Sequence, residues 1–369
     1  MHETVLTADD LAVGYGSEIL IDNIRISLLP GKIVTLIGPN GAGKSTILKT
    51  ISRQLPPLGG AIYIGKEELV GFKGEELAKK MSLLMTVRTE PELMTCRQAV
   101  GAGRYPYTGR LGILSPEDKR AVAEAMELTD VTELADRDIS RISDGQRQRV
   151  MLARAICQEP KILVLDEPTS FLDIRHKLKL LDILRRLVRE KQLAVIMSMH
   201  ELDMAERISD CVICVGDKGI EGQGAPEEIF TNERITALYG IEKGSFEERF
   251  CTAELPPPVG EPRVFVIGGN GRGTGVFRRL QRLDIPFAAG VIHENDIDFP
   301  AAKALGTIVI SEKPFEHISY ENEQAAMALI DKCEKVICCL DSFGRGNAAN
   351  GRLRDYAMEQ GKLQLTYTP

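Results

Sequence analysis

No apolar run in this chain approaches the ~20 residues needed to cross a bilayer. The longest, such as Leu193–Met199, have the length of a buried strand. The opening residues, MHETVLTADD, are acidic and polar, unlike a signal sequence or a transit peptide, and predict a protein kept in the cytoplasm. A basic excess is also missing. Lys plus Arg number 46 against 53 for Asp plus Glu, a net charge of −7. Binding nucleic acid through phosphate neutralisation favours the opposite sign, so no nucleic-acid partner is expected. Internal repeats and low-complexity tracts are absent, which excludes collagen-like and extensively disordered chains. Cysteine is sparse: eight residues in 369, read without export as reduced thiols rather than a disulfide scaffold. Cys211 and Cys214 form a CxxC, but CVICV has the pattern of a strand, where a three-residue offset points the side chains to opposite faces. They read as buried small hydrophobes, as do Cys338 and Cys339.

What is present is ordinary globular material, 43% hydrophobic and 27% charged, long enough for two domains at roughly 150 residues each. One break stands out. Glu254–Pro262 reads ELPPPVGEP, an extended semi-rigid spacer. It predicts a first domain over 1–253, a linker over 254–262 and a second domain over 263–369. In the last segment, strand-like runs at Val264–Ile267, Ala288–Ile292, Thr307–Ile310, Val336–Leu340 and Leu363–Thr366 alternate with helical stretches. Those stretches lie near Gly275–Leu283, Ala301–Leu305, Glu321–Cys333 and Asn347–Gln360. The alternation predicts a small Rossmann-like α/β domain with a parallel sheet.

The strongest chemical signal is GPNGAGKST: Gly38, Pro39, Asn40, Gly41, Ala42, Gly43, Lys44, Ser45 and Thr46. The apolar strand Lys32–Ile37 enters it and an amphipathic helix over Ser45–Leu55 leaves it, as a phosphate loop requires. The glycines let backbone N–H groups and the helix N-terminus face a polyphosphate. Lys44 brings a point charge to the β- and γ-phosphates, and the Ser45 hydroxyl is placed to ligate Mg²⁺. Downstream, KILVLDEP reads as a strand buried on both faces. Asp166 emerges at its C-terminal end to hold the Mg²⁺ shell, and Glu167 follows to polarise an attacking water. The expected cofactors are ATP and Mg²⁺.

Between these elements lies Ile142–Gln146, ISDGQ, followed by RQRVMLARAI. This resembles the LSGGQ signature of ABC-type ATPases, with Asp144 in place of the first glycine. Tyr15 is similar to the family's adenine-stacking aromatic, Asp173 in SFLD to its D-loop, and His200 in VIMSMHE to its switch histidine. The resemblance implies an ABC-type P-loop ATPase core with a helical subdomain at about 87–158, which holds the signature away from the nucleotide of its own chain. It also implies a head-to-tail homodimer in which Ser143, Asp144, Gly145 and Gln146 cap the ATP of the other copy. Glu167 and His200 would then drive hydrolysis. Family members carry a Gln where the core meets the helical subdomain; here Thr86 stands at that position.

QAVGAGRYP at 98–106, Tyr107, LSPEDK at 114–119 and GQGAPEEIF at 222–230 resemble the branch importing ferric siderophores, haem and cobalamin. That likeness implies two permease subunits, an extracytoplasmic substrate-binding protein, and a location on the inner face of the cell membrane. The bland alternative for Gly103-Arg104-Tyr105-Pro106 is a loop with an exposed arginine. A soluble ABC ATPase acting on nucleic acid or ribosomes is the competing function. One cassette per chain, acidic charge and the absence of long heptads between 46 and 143 speak against it.

The last domain opens with RVFVIGGNGRGTG, a strand followed by a glycine-rich turn without Lys-Ser/Thr. It is a loose dinucleotide fingerprint, with Gly269, Gly271, Arg272 and Gly273 in the turn and His293 and Glu294 after the second strand as candidate ligand residues. A regulatory ligand site and a purely structural appendage both remain open.

Overall fold

The computed structural model of the protein describes residues 4–85, 94–109, 112–217 and 219–364. Thr86 lies outside them. The chain divides after Tyr239 into two compact units, Met1–Tyr239 and Gly240–Pro369. Residues 240–253, which the sequence pattern joins to the first domain, therefore group with the second, and the proline-rich stretch lies inside that unit. The reason is a short hairpin, described below, that a proline count cannot reveal.

The first unit begins with β1 (Leu6–Tyr15) and β2 (Glu18–Leu28), an antiparallel pair, then β3 (Ile33–Ile37) and α1 (Lys44–Ile51). Next come β4 (Gly59–Ile64), β5 (Glu67–Glu68), α2 (Gly74–Lys80) and β6 (Met81–Leu84). The helical subdomain follows as α3 (Cys96–Gly101), α4 (Pro116–Leu128) and α5 (Asp144–Cys157). The chain then returns to β7 (Ile162–Asp166), α6 (Ile174–Lys191), β8 (Ala194–Ser198), α7 (Leu202–Ile208) and β9 (Cys211–Gly216). The unit ends with β10 (Gly219–Gly224), α8 (Pro226–Ile229) and α9 (Asn232–Tyr239).

Two sheets result. One has the order β2-β1-β4-β5 and is antiparallel; the other has the order β10-β9-β3-β8-β7-β6 and is parallel except for β10. β3, β7 and β8 are buried along their whole length, which explains their unbroken apolar sequences. Leu11, Ile24, Leu36, Ile47 and Val164 fill the space between sheets and α1. The helical subdomain has its own core, around Cys96, Val100, Val122, Met126 and Val150. Its helices start on capping boxes built by Thr95, Ser115 and Ser143, each answering an orphan helix N–H.

In the second unit, β11 (Ser245–Glu247) and β12 (Thr252–Glu254) form the hairpin, and the Arg278 guanidinium binds Glu254. Then come β13 (Val264–Ile267), α10 (Thr274–Arg282), β14 (Phe287–His293), α11 (Phe299–Leu305) and β15 (Ile308–Glu312). α12 (Tyr320–Lys332), β16 (Lys335–Cys338), α13 (Ala348–Glu359) and β17 (Leu363–Gln364) complete it. The sheet is parallel with the order β15-β14-β13-β16-β17, so the chain winds outward in both directions from β13. Alternation decides the layers. Val264 and Val266 pack with Phe277, Leu280 and Leu305 on one face, while Phe265 and Ile267 pack with Ile330, Leu353 and Ala357 on the other. This is the expected Rossmann-like arrangement, with helices on both sides.

Candidate functional site

The turn between β3 and α1 has the shape of a phosphate cradle for reasons local to its glycines. Gly38 has φ 145°, and a Cβ there would lie 1.9 Å from the Val215 carbonyl oxygen, so no other residue fits. The Gly38 N–H donates to the Tyr239 hydroxyl at 3.1 Å. That hydroxyl comes from the last residue of the first unit, and burial pushes its pKa up to about 12. Lys44 is buried, and its Nζ donates to the carbonyls of Gly38 (2.7 Å) and Pro39 (2.8 Å), bridging the loop it belongs to. Burial lowers the Lys44 pKa against the pull of Glu167 and Asp166.

At the end of β7, Asp166 Oδ1 accepts from the Ser45 hydroxyl (2.9 Å) and from the Ser198 hydroxyl (2.7 Å). Ser198 Oγ also accepts the Glu167 N–H at 2.9 Å, so one buried hydroxyl of β8 ties the Asp166 carboxylate to the Glu167 backbone. Glu167 takes the left-handed backbone at φ 48°, turning its side chain out of the strand. Its Oε1 meets His200 Nε2 at 2.5 Å and its Oε2 accepts from Ser170 Oγ at 3.0 Å. The carboxylate is thus held at both oxygens. Tyr15, half exposed, contacts Thr46 through hydroxyls 3.2 Å apart. Together Tyr15, Asn40, Gly41, Gly43, Lys44, Ser45, Thr46, Glu167 and His200 line one cavity of about 470 Å³.

The signature residues Ser143, Asp144, Gly145 and Gln146 do not line that cavity. Ser143 caps α5, its hydroxyl accepting the Gln146 N–H at 3.3 Å while the Gln146 side chain accepts the Ser143 N–H at 3.1 Å. The α5 N-terminus therefore presents a positive dipole end on another part of the surface. Asp144 is exposed and paired with Arg147 at 3.2 Å. Asp173 caps α6 by accepting both the His176 N–H (2.9 Å) and its ring Nδ1 (2.8 Å). A Cβ on Gly145 would fall 2.4 Å from that His176 ring, so Gly145 is the close-approach point between α5 and α6.

Residues 21–170 match the ABC transporter family, and residues 287–368 match the MJ0874 family. An uncharacterized ABC transporter ATP-binding protein of Methanocaldococcus jannaschii is 38% identical over 75% of this chain and 96% of its own length. The chain belongs to the ATP-binding proteins of ABC transporters. The ferric enterobactin transport ATP-binding protein of Escherichia coli is 36% identical over 74% of this chain and 99% of its own. The cobalamin import ATP-binding protein of Halobacterium salinarum is 31% identical over 84% and 78%. Among solved structures, a dimeric post-hydrolysis cassette bound to ADP and phosphate has a TM-score of 0.53, with 25% identity over 60% of this chain and 98% of that one.

Three residues of this ABC ATPase escaped the sequence reading. Ser198 was visible only as a lone polar residue in an apolar strand. Tyr239 and His176 left no signal, because the contacts that give them meaning join distant segments. Glu201 acts similarly: burial raises its pKa, and hydrogen bonds from Lys177 (2.6 Å) and Thr169 (2.8 Å) outweigh that and lower it. Arg104 does not fit the bland alternative of a loop with an exposed arginine. It is buried, not exposed, and forms ion pairs with Asp118 (2.8 Å) and Glu159 (2.6 Å).

In the second unit, the candidate ligand residues of the glycine-rich turn are engaged internally. The N–H groups of Gly269 (2.9 Å) and Gly273 (2.7 Å) donate to Oδ2 of the fully buried Asp298. Gly271, with φ 74°, only shapes the turn, and Arg272 pairs with Asp341. His293 Nε2 donates to the Glu316 carbonyl at 2.9 Å, and the exposed Glu294 accepts from Ser311 at 3.3 Å.

Proposed function

We propose that this ABC ATPase energises an importer for a metal chelate: a ferric siderophore, haem or a corrinoid. Two copies would work beneath two permease subunits on the inner face of the cell membrane, supplied by an extracytoplasmic substrate-binding protein. The reading is supported by relatives named for ferric enterobactin transport and cobalamin import.

The observation that carries the mechanism is the carboxylate of Glu167, held between His200 and Ser170 at the mouth of the Lys44 cradle. Glu167 accepts a proton from the attacking water, and His200 fixes the carboxylate and reaches the γ-phosphate. Lys44 exchanges its two carbonyl partners for phosphate oxygens. Tyr15 offers an exposed ring face to adenine. The hydroxyl of Ser45 and the carboxylate of Asp166, 2.9 Å apart, are hard oxygen donors that suit Mg²⁺. That ion neutralises charge on the phosphates when bound. Since Ser143 to Gln146 lie away from this cavity, a second copy must supply them, with Asp173 at the junction. Thr86, at the sequence position of the family's Gln, would act through a metal-bound water.

Beside β6, a groove of about 360 Å³ combines apolar residues such as Leu77, Met81, Met85 and Met151 with the polar Arg154 and Gln158. Its methionines adapt to different partners, and it suits the cytoplasmic helix of a permease. Because α5 forms one wall and carries Ser143 at its far end, docking there reaches the signature directly.

The test is Glu167→Gln. ATP should still bind and should trap a dimer on size-exclusion chromatography, while turnover falls about a thousandfold. Normal turnover in that variant, or full activity of the wild type as a monomer, would refute the reading.

A further inference from the structure

The turn after β13 repeats the pattern of the ATP cradle: Gly268-Gly269-Asn270-Gly271-Arg272-Gly273 beside Gly38-Pro39-Asn40-Gly41-Ala42-Gly43, each between a strand and a helix. In the second unit, Thr274 stands where Lys44 stands in the first. The amides that would bind a phosphate are already bound to carboxylates of the same chain. Asp298 takes the N–H groups of Gly269, Gly273 and Thr274, with the Thr274 hydroxyl at 2.6 Å. Asp296 takes the Asn270 N–H at 2.8 Å. A buried carboxylate with this many donors is a built-in anion, and it occupies the turn amides that a phosphate would need.

Directly beyond the strand ends lies a cavity of about 550 Å³. It draws on four strand exits: Asn270 after β13, His293 and Asp296 after β14, Phe315 after β15 and Asn347 after β16. Ligands of open parallel sheets bind in this position. Its lining includes the carboxylates of Asp296 and Glu316 and contains no Lys or Arg. The Phe315 ring is 93% exposed, yet its loop is pinned. The Glu312 carboxylate accepts the Ser319 N–H at 2.8 Å, and the Ile318 N–H donates to the Gly346 carbonyl at 3.2 Å. His293 holds the Glu316 carbonyl. An exposed aromatic ring on a pinned loop beside a cavity of amide side chains is suited to stack a flat polar molecule, with Asn270 and Asn295 able to donate and accept along its edge and the Asn347 amide N–H groups able to donate.

We infer that this cavity binds a planar, unphosphorylated heterocycle of the nucleoside class, and rejects the phosphorylated counterpart. Position selects a small ligand, Phe315 selects a flat one, and the filled amides together with two carboxylates exclude phosphate.

Isothermal titration of the full chain tests this, with the ATP cavity saturated by a non-hydrolysable ATP analogue. The probes are adenosine, guanosine, cytidine and uridine, each beside its 5′-monophosphate. At least one nucleoside should bind with a dissociation constant below about 100 μM, and its monophosphate at least ~10-fold more weakly. Phe315→Ala, which alters only an exposed ring, should weaken that nucleoside roughly tenfold and leave basal ATP hydrolysis unchanged. Failure of all four nucleosides, equal binding of nucleoside and monophosphate, or no effect of Phe315→Ala would each overturn the inference.

Discussion

Removing the buried guanidinium of Arg104 by Arg104→Met should destabilise the first unit by about 4 kcal/mol, within the ~3–5 kcal/mol range for breaking a buried pair. The side chain is only 4% exposed and carries three hydrogen bonds: Nε to Asp118 Oδ1 (2.8 Å), and Nη1 to the Cys157 carbonyl (2.8 Å) and to Glu159 Oε2 (2.6 Å). Its guanidinium also lies 3.9 Å from the Tyr107 ring centre. Methionine fills much of the volume, so the loss comes from Asp118, left buried with only Ser115 as partner. Burial raises the Asp118 pKa, but Ser115 and Arg104 outweigh it and hold the carboxyl below the usual range. That stabilisation is complete above the unfolded value of about 3.9 and is lost as pH falls through the lower folded value. In the variant, Asp118 titrates higher, so the deficit should be largest near neutrality and narrow below about pH 4. The chain has no Trp, so guanidinium unfolding is best followed by far-UV circular dichroism. With a slope of about 5 kcal/mol/M, the first transition should move by roughly 0.8 M. Arg104→Met combined with Asp118→Asn should recover part of the loss, because no buried charge is left alone. A midpoint shift below about 0.2 M at neutral pH, or no recovery in the double variant, would refute the reasoning.

Tyr239→Phe removes the acceptor of the Gly38 N–H while keeping the ring. The KM for ATP should rise about fivefold with kcat within about twofold, as expected for roughly 1 kcal/mol lost from the cradle alone; steady-state kinetics that instead lower kcat would remove Tyr239 from this role. In the second unit, backbone hydrogen bonding from Ser319 leads the groups that hold Glu312 at a pKa of about 2. Its contribution should be fully present above about pH 4.3 and vanish as pH falls through the folded value. Glu312→Gln should therefore cost about 2 kcal/mol at pH 7 and almost nothing near pH 2, read from the second unfolding transition in urea.

The residues of the candidate site could be picked out of the sequence because its parts are written contiguously. Gly38 to Thr46 needs only a strand before it and a helix after it, and Asp166-Glu167 needs only the end of an apolar strand. The alternation after Val264 foretold a parallel sheet for the same reason: period and turn residues are properties of neighbours along the chain. Tertiary structure decided what depends on distant partners. Ser198 came to bridge the Asp166 carboxylate and the Glu167 backbone N–H only when β7 and β8 paired. Tyr239 reached Gly38 across most of the first unit, and Arg104 went inside because Asp118 and the end of α5 were there to receive its charge. The glycine-rich turn of the second unit shows the limit most sharply. Its sequence reads as a place for an anion, and folding fills that place with Asp298, a residue no pattern within the turn could have named.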